Sequence, residues 1–372
     1  MVEISFKSLA VEGVRRLQPY QAGKPLEELE REYGIRHAVK LASNENPLGP
    51  GKKALAAIEQ QLPGLSRYPD GNGFSLKKAL SKKHSVRMDQ LTLGNGSNDI
   101  LEFLARAFVA GGDEVIFSEH AFAVYPIVTQ AVGGRAVIIA AKNHAYDLDA
   151  IAAAVNDKTR LIFIANPNNP TGTWLTEKAL RDFLKKIPEQ VLVVLDEAYY
   201  EYAMDPALRA CGYISVMSWL NEYPNLVVTR TFSKAYGLAG LRIGYSVSHI
   251  EVADILNRVR QPFNTNSLAL AAAEAALADE AHLRQSIKLN AEGMRLFTQA
   301  FEQLGLEYIP SVGNFICVKV GDAAGVYEAL LRAGIIVRPV ANYGLPEYLR
   351  ISIGRADENA RFLDALKKIL LA

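Results

Sequence analysis

The chain has 372 residues, 49% of them hydrophobic, and its 41 Lys+Arg against 40 Asp+Glu leave a net charge of +1. That length can bury a large core and divide into two domains, while balanced charge without a dense Lys/Arg run gives no electrostatic footprint for nucleic acid. The only two cysteines, Cys211 and Cys317, are far apart and lack CxxC spacing, which argues against a metal or redox pair and leaves them as reduced packing residues.

Residues 1–40 read as an arm ahead of a larger domain. Its start mixes Glu3, Lys7, Glu12, Arg15 and Arg16 among short apolar runs, without the continuous apolar core of a signal peptide. No stretch approaches the roughly 18 apolar residues of a membrane span. A cytoplasmic protein that engages neither membrane, nucleic acid nor metal is expected. Pro47, Pro50, Pro63 and Pro69 punctuate the next segment.

From about residue 75 to 250, short apolar runs alternate with amphipathic helical patterns, the signature of a parallel sheet covered by helices. Strands are predicted at Glu114–Ser118, Ala136–Ala140, Leu161–Ala165, Val191–Leu195, Leu226–Arg230 and Gly244–Val247. Helices are predicted at Asn98–Val109 and at Thr176–Lys186, where Thr176 can cap and Glu177 suits the positive helix end. After Gln261-Pro262-Phe263-Asn264-Thr265-Asn266 a single long Ala-rich helix should run from about Leu268 into the 290s, with the domain boundary along it. The remainder reads as a strand over Asn314–Val320, a helix over Ala324–Ala333, strands over Ile335–Pro339 and Tyr348–Ile353, and a closing helix. The expected division is an arm (1–40) that contributes to the small domain or an interface, a large domain (41–270) and a small α+β domain (271–372).

Three segments carry chemistry. Val193-Val194-Leu195-Asp196-Glu197-Ala198-Tyr199 is an apolar strand ending in a carboxylate, which points into the crevice where parallel sheets bind ligands; a helix N-cap is its plainer reading. Thr231-Phe232-Ser233-Lys234 runs on to Arg242, and a lysine among hydroxyls with a later arginine suits an imine held beside a phosphate. Taken alone, Lys234 would be a solvated surface lysine. Asn166-Pro167-Asn168-Asn169-Pro170-Thr171-Gly172 follows a strand and either presents a side chain or is only a Pro-rich turn.

Together, Asn-Pro-Asn-Asn-Pro-Thr-Gly, Asp-Glu-Ala-Tyr and Ser-Lys-Ala-Tyr-Gly-Leu-Ala-Gly-Leu-Arg-Ile-Gly resemble, in order and spacing over essentially the whole chain, the class I/II aminotransferases among the fold-type I pyridoxal 5′-phosphate (PLP) enzymes. The resemblance implies an α/β fold: a large domain with a mostly parallel seven-stranded sheet between helices, and a small α+β C-terminal domain. It implies that Lys234 forms the Schiff base and moves protons at the substrate Cα, that Asp196 faces the pyridine nitrogen, and that Tyr199 and Asn169 donate to the cofactor's phenolic oxygen. The phosphate cup would combine Gly94-Asn95-Gly96-Ser97-Asn98-Asp99 with Thr231, Ser233 and Arg242, because a Gly-rich loop opening a helix attracts anions. Phe122 aligns with the aromatic that stacks on the ring, often Tyr in relatives; whether Phe122 or the nearby Tyr125 makes that contact stays open. Tyr68 matches a tyrosine that reaches across a homodimer to the other subunit's phosphate.

Within the family, Leu17-Gln18-Pro19-Tyr20 and Ser43-Asn44-Glu45-Asn46-Pro47 resemble the subgroup acting on histidinol phosphate. Tyr20, Asn44, Glu45, Arg338 and Arg350 are the implied substrate contacts, since guanidinium forks suit a glutamate carboxylate and a substrate phosphate alike. The expected reaction exchanges an amino group between glutamate and imidazole acetol phosphate, giving histidinol phosphate and 2-oxoglutarate. Aromatic amino-acid transamination and decarboxylation of threonine phosphate are the competing activities. A PLP-dependent DNA-binding regulator is disfavoured by the missing basic patch.

Overall fold

The computed structural model describes residues 5–20, 23–205 and 212–371; Cys211 lies outside them. Its strands, in chain order, are β1 (Val39–Lys40), β2 (Leu91–Gly94), β3 (Glu114–Ser118), β4 (Arg135–Ile139), β5 (Thr159–Ala165), β6 (Leu192–Asp196), β7 (Leu226–Thr231), β8 (Gly244–Val247), β9 (Tyr308–Ile309), β10 (Phe315–Lys319), β11 (Ile335–Ile336), β12 (Arg338–Pro339) and β13 (Tyr348–Ser352). The expected α/β architecture is present: a seven-stranded sheet of order β2-β8-β7-β6-β5-β3-β4, in which only β8 runs antiparallel to its neighbours.

Strands β5, β6 and β7 are nearly continuous in Val, Ile, Leu and Phe because helices cover both faces of a parallel sheet, and almost every residue in them is buried. The chain moves outward from β3 to β4, then returns to set β5 on the other side of β3. Strand order therefore reverses between β3 and β5, and ligands bind outside the carboxyl ends of strands at such a point.

A second core gathers Phe297, Phe301, Phe362 and the inner residues of β10 and β13, beneath an antiparallel sheet of order β12-β13-β10-β9. The N-terminal segment contacts this second core: β1 pairs parallel with β11, and Leu29 and Ala42 pack with Leu331 and Ile336.

Three expectations change. Leu91–Gly94 forms an edge strand that the reading missed. The single Ala-rich helix is two helices, Ser267–Leu277 and Glu280–Gln303, because Asp279 leaves helical geometry and its side chain accepts from His282 N as an N-cap. The strand expected over Ile335–Pro339 splits: Ile335–Ile336 pairs with β1 and Arg338–Pro339 with β13. Between the two pairs, Val337 is the pivot.

Candidate active site

Loops leaving β2, β3, β5, β6 and β7 at one edge of the large sheet meet Arg338, Tyr343 and Arg350 from the C-terminal part and Tyr20, Gly23 and Ala42–Asn44 from the N-terminal part of the chain around one cleft. It holds about 900 Å³ of space free of atoms, part of it open solvent.

Lys234 lies three residues beyond β7. Its Nζ donates to Ser43 O at 3.2 Å and sits 5.6 Å from the centre of the Tyr199 ring. Burial, followed by the positive charge of Arg350, brings its pKa down to about 8. A lysine so tuned keeps an appreciable neutral fraction at physiological pH, the form that attacks a carbonyl.

Asp196 ends β6, only 5% exposed. Oδ1 accepts from Thr229 Oγ1 at 3.0 Å and Oδ2 from the Tyr125 hydroxyl at 3.1 Å. Burial pushes its pKa up to about 6 despite both hydrogen bonds. A carboxylate held this way gains from a cation set against it, because an opposite charge favours the ionised form. Tyr125 is thereby settled behind Asp196: it is fully buried and stacked on Phe163 with ring centres 4.7 Å apart. Phe122, and not Tyr125, lines the cleft.

Tyr199 and Asn169 carry the hydrogen-bonding groups between these two. Asn169 Oδ1 accepts from Arg350 Nη1 at 2.5 Å, which leaves its Nδ2 for the cleft. The Tyr199 oxygen accepts from Asn44 Nδ2 at 3.0 Å, and burial pushes the phenol up to about 12, so it retains a proton to donate.

At the far end an anion cradle is assembled. Ser97 and Asn98 open the helix Ser97–Phe108, after Gly96 at φ 83°. A side chain at Gly96 would collide with Arg242, its Cβ falling 2.2 Å from Nη2, so glycine lets the guanidinium lie against the loop. Arg242 Nη1 donates to Ser233 Oγ at 3.2 Å, and Ser233 N donates to Thr231 Oγ1 at 3.1 Å. Asp99 turns away from the cradle, accepting from Asn95 N and Asn264 Nδ2. Free helix N–H groups, hydroxyls and a guanidinium form a donor set suited to a phosphate.

Arg350 reaches from β13 with Nη2 on Ala42 O at 2.7 Å, and its buried Nε has no hydrogen-bond partner among the described residues. Arg338 is also buried, its guanidinium 5.8 Å from the centre of the Tyr20 ring. Besides Asp99, two further expected residues, Glu45 and Tyr68, stand apart from the cleft in the single chain. The Glu45 side chain pairs with Lys40 at 2.9 Å, and Tyr68 is 82% exposed, stacked on Phe263 at 4.7 Å. Tyr343, Pro167 and the Ala42–Ser43 backbone also line the cleft without having been expected from the sequence, and Thr229 is an unexpected partner of Asp196. Thr229 had a signal: it precedes Thr231 by two on one strand and so shares its face. Among the described residues, no group of three or more His, Cys, Asp or Glu could hold a metal ion. The parts present, a buried amine, a buried acid, cleft-facing donors and an anion cradle, fit PLP.

Comparison with known proteins agrees. The profile of the family described as aminotransferase class I and II matches residues 36–366. Histidinol-phosphate aminotransferase 1 of Idiomarina loihiensis is 57% identical over 370 residues, covering 99% of this chain and 100% of its own. Histidinol-phosphate aminotransferase 2 of Pseudomonas fluorescens is 59% identical over 369 residues, covering 98% of each. Among solved structures, the histidinol-phosphate aminotransferase of Sinorhizobium meliloti in complex with pyridoxal 5′-phosphate superimposes with a TM-score of 0.87 at 31% identity, over 96% of this chain and 98% of that one.

Proposed function

Because this chain belongs to the class I and II aminotransferases, a PLP-dependent family, we propose that it interconverts histidinol phosphate and imidazole acetol phosphate, with glutamate and 2-oxoglutarate as the other pair, in histidine biosynthesis. The observation that carries the substrate is identity of 57% and 59%, over nearly the full length, to two histidinol-phosphate aminotransferases.

When bound, PLP supplies an electron sink for the pair left at the substrate Cα by loss of its proton. The chain's own residues do the rest. Lys234 anchors the cofactor and, once released as a free amine, takes up and returns the proton at Cα. Asp196 keeps a positive charge at the pyridine nitrogen. Tyr199 and Asn169 donate to the phenolic oxygen, Phe122 supports the ring, and Gly96–Asn98, Thr231, Ser233 and Arg242 take the phosphate. Arg350 grips the carboxylate of glutamate, and Arg338 with Tyr20 takes the phosphate of histidinol phosphate. Asn44 acts through Tyr199, and Glu45 is a candidate for the imidazole once the cleft closes.

A homodimer completes the reading. The exposed apolar side chains Leu62, Leu65, Tyr68, Phe74 and Phe263 support an interface there, and Tyr68 would reach the partner's phosphate site. The large domain would span 41–270 and the small one 271–372, with the arm on the latter. No helix among the described residues is long and apolar enough to cross a membrane, and we assign the enzyme to the cytoplasm.

The test is steady-state kinetics with 2-oxoglutarate as acceptor. Histidinol phosphate should exceed phenylalanine or tyrosine in kcat/KM by at least about tenfold, roughly 1.4 kcal/mol of transition-state discrimination. Preference for the aromatic donors, or carbon dioxide released from threonine phosphate, would overturn the assignment.

A further inference from the structure

Ser352 does not itself line the cleft, yet its hydroxyl sits behind Asn44, which does. It follows Arg350 by two on β13, so the two side chains leave the same face of the strand. Ser352 is buried, and its Oγ accepts from Asn44 N at 2.8 Å while donating to Asn44 Oδ1 at 2.8 Å. Since the backbone N–H occupies an acceptor site on Oγ, the hydroxyl proton is directed to Oδ1. The amide of Asn44 can then turn only one way, with Nδ2 toward the Tyr199 oxygen at 3.0 Å. That contact uses a lone pair of the phenol and leaves the phenolic proton to be donated elsewhere.

The Asn44 backbone is held as firmly. It stands at φ 55°, a left-handed conformation that Asn tolerates better than most residues, and its carbonyl accepts from Asn314 Nδ2 at 3.0 Å. Ser352 N donates to Leu41 O at 2.9 Å, tying β13 to the stretch that leads into Asn44. Three parts of the molecule thus meet at one amide.

We propose that Ser352 is a positioning residue: through Asn44 it fixes the direction of the Tyr199 hydroxyl, so that the phenol donates to the phenolic oxygen of PLP. The inference rests on the PLP reading above. Without Ser352 Oγ the amide is free to flip and offer Oδ1 to Tyr199, which would then donate to Asn44 instead. A donor at the cofactor oxygen would stabilise negative charge there, and that charge would be greatest once Lys234 Nζ, bound to the cofactor, had lost its proton. Weakening the donor makes that proton harder to lose.

The measurement is the pH midpoint of the visible absorption of the holoenzyme, taken without substrate. Ser352→Ala should raise the midpoint by about 0.4 to 1 pH unit, the worth of one hydrogen bond. Ser352→Thr, which keeps the hydroxyl, should stay near wild type. Tyr199→Phe should raise it as well, and Ser352→Ala added to Tyr199→Phe should raise it no further. Asn44→Gly removes the amide while suiting the left-handed backbone, and should move the midpoint upward even if Ser352→Ala fails to fold. An unmoved midpoint in the folded variants, or a Ser352→Ala shift undiminished by Tyr199→Phe, overturns the inference while leaving the PLP assignment intact. A wild-type protein that binds no PLP and shows no visible band would remove both.

Discussion

At Lys234 and Asp196, burial sets reactivity at the expense of stability. Asp196 is raised to about 6 from an unfolded value of 3.8, so the folded state binds the extra proton between those values, and the cofactor-free protein loses stability as pH rises through that window. Lys234 is lowered to about 8 from 10.5; its penalty is complete below pH 8 and is relieved as pH rises toward 10.5. Asp196→Asn should therefore stabilise the cofactor-free protein at pH 7, by at most roughly 3 kcal/mol from the size of the shift, and flatten its stability between pH 4 and 6. The same change should cut turnover by several orders of magnitude, because a neutral amide cannot hold charge at the pyridine nitrogen. Urea melts across pH and single-turnover rates check the two halves; equal stability together with near-native turnover would contradict them. Lys234→Ala should abolish both the visible band and multiple turnover. These residues were legible because their neighbours are specific: a carboxylate closing an apolar strand, a lysine among hydroxyls. Ser352 was not, since a lone hydroxyl on a strand with both faces buried looks like any other core residue, and Thr229 offered only its place two residues before Thr231 on one strand.

At the scale of elements, the site is held by what lies under the strand ends. Glu197, one residue beyond β6, and Arg230, next to the end of β7, form a buried ion pair at 2.7 Å, with Ser215 Oγ and Val216 N also donating to the carboxylate and the Arg230 guanidinium 3.5 Å from the centre of the Tyr200 ring. Arg230→Met strands the carboxylate in the core and should cost roughly 3 to 5 kcal/mol, read as a lower urea midpoint; a loss below about 1 kcal/mol would mean the pair is already hydrated. Asp279→Ala should cost about 1 kcal/mol through loss of the N-cap. The strands β3 to β8 stood out in the sequence within a residue or two: β3 and β5 to β8 are buried along nearly their whole length, and β4, largely exposed at the sheet edge, still carries the β-branched run Val137-Ile138-Ile139. The break at Asp279 did not, because Ala-rich sequence on one side and amphipathic sequence on the other merge into one helical pattern. Leu91–Gly94 escaped because a short strand running into Gly-Asn-Gly looks like loop.

At the scale of the molecule, one chain leaves Tyr68 outside its own cleft and apolar surface uncovered around it. If a second copy supplies Tyr68, refolding a mixture of Lys234→Ala and Tyr68→Ala subunits should restore activity to about a quarter of all sites, from the statistics of an isologous dimer. Recovery no greater than the sum of the separate variants would reject the cross-subunit role. The sequence could not settle this, because a Tyr-Pro step reads the same whether it packs on its own chain or on another. One half-reaction tests the transamination most directly. Holoenzyme mixed with a stoichiometric amount of histidinol phosphate, without 2-oxoglutarate, should lose its visible band once, releasing one imidazole acetol phosphate per active site, and regain the band on addition of 2-oxoglutarate with formation of glutamate. A band unchanged by histidinol phosphate, or bleached without release of the ketone, would contradict the assignment.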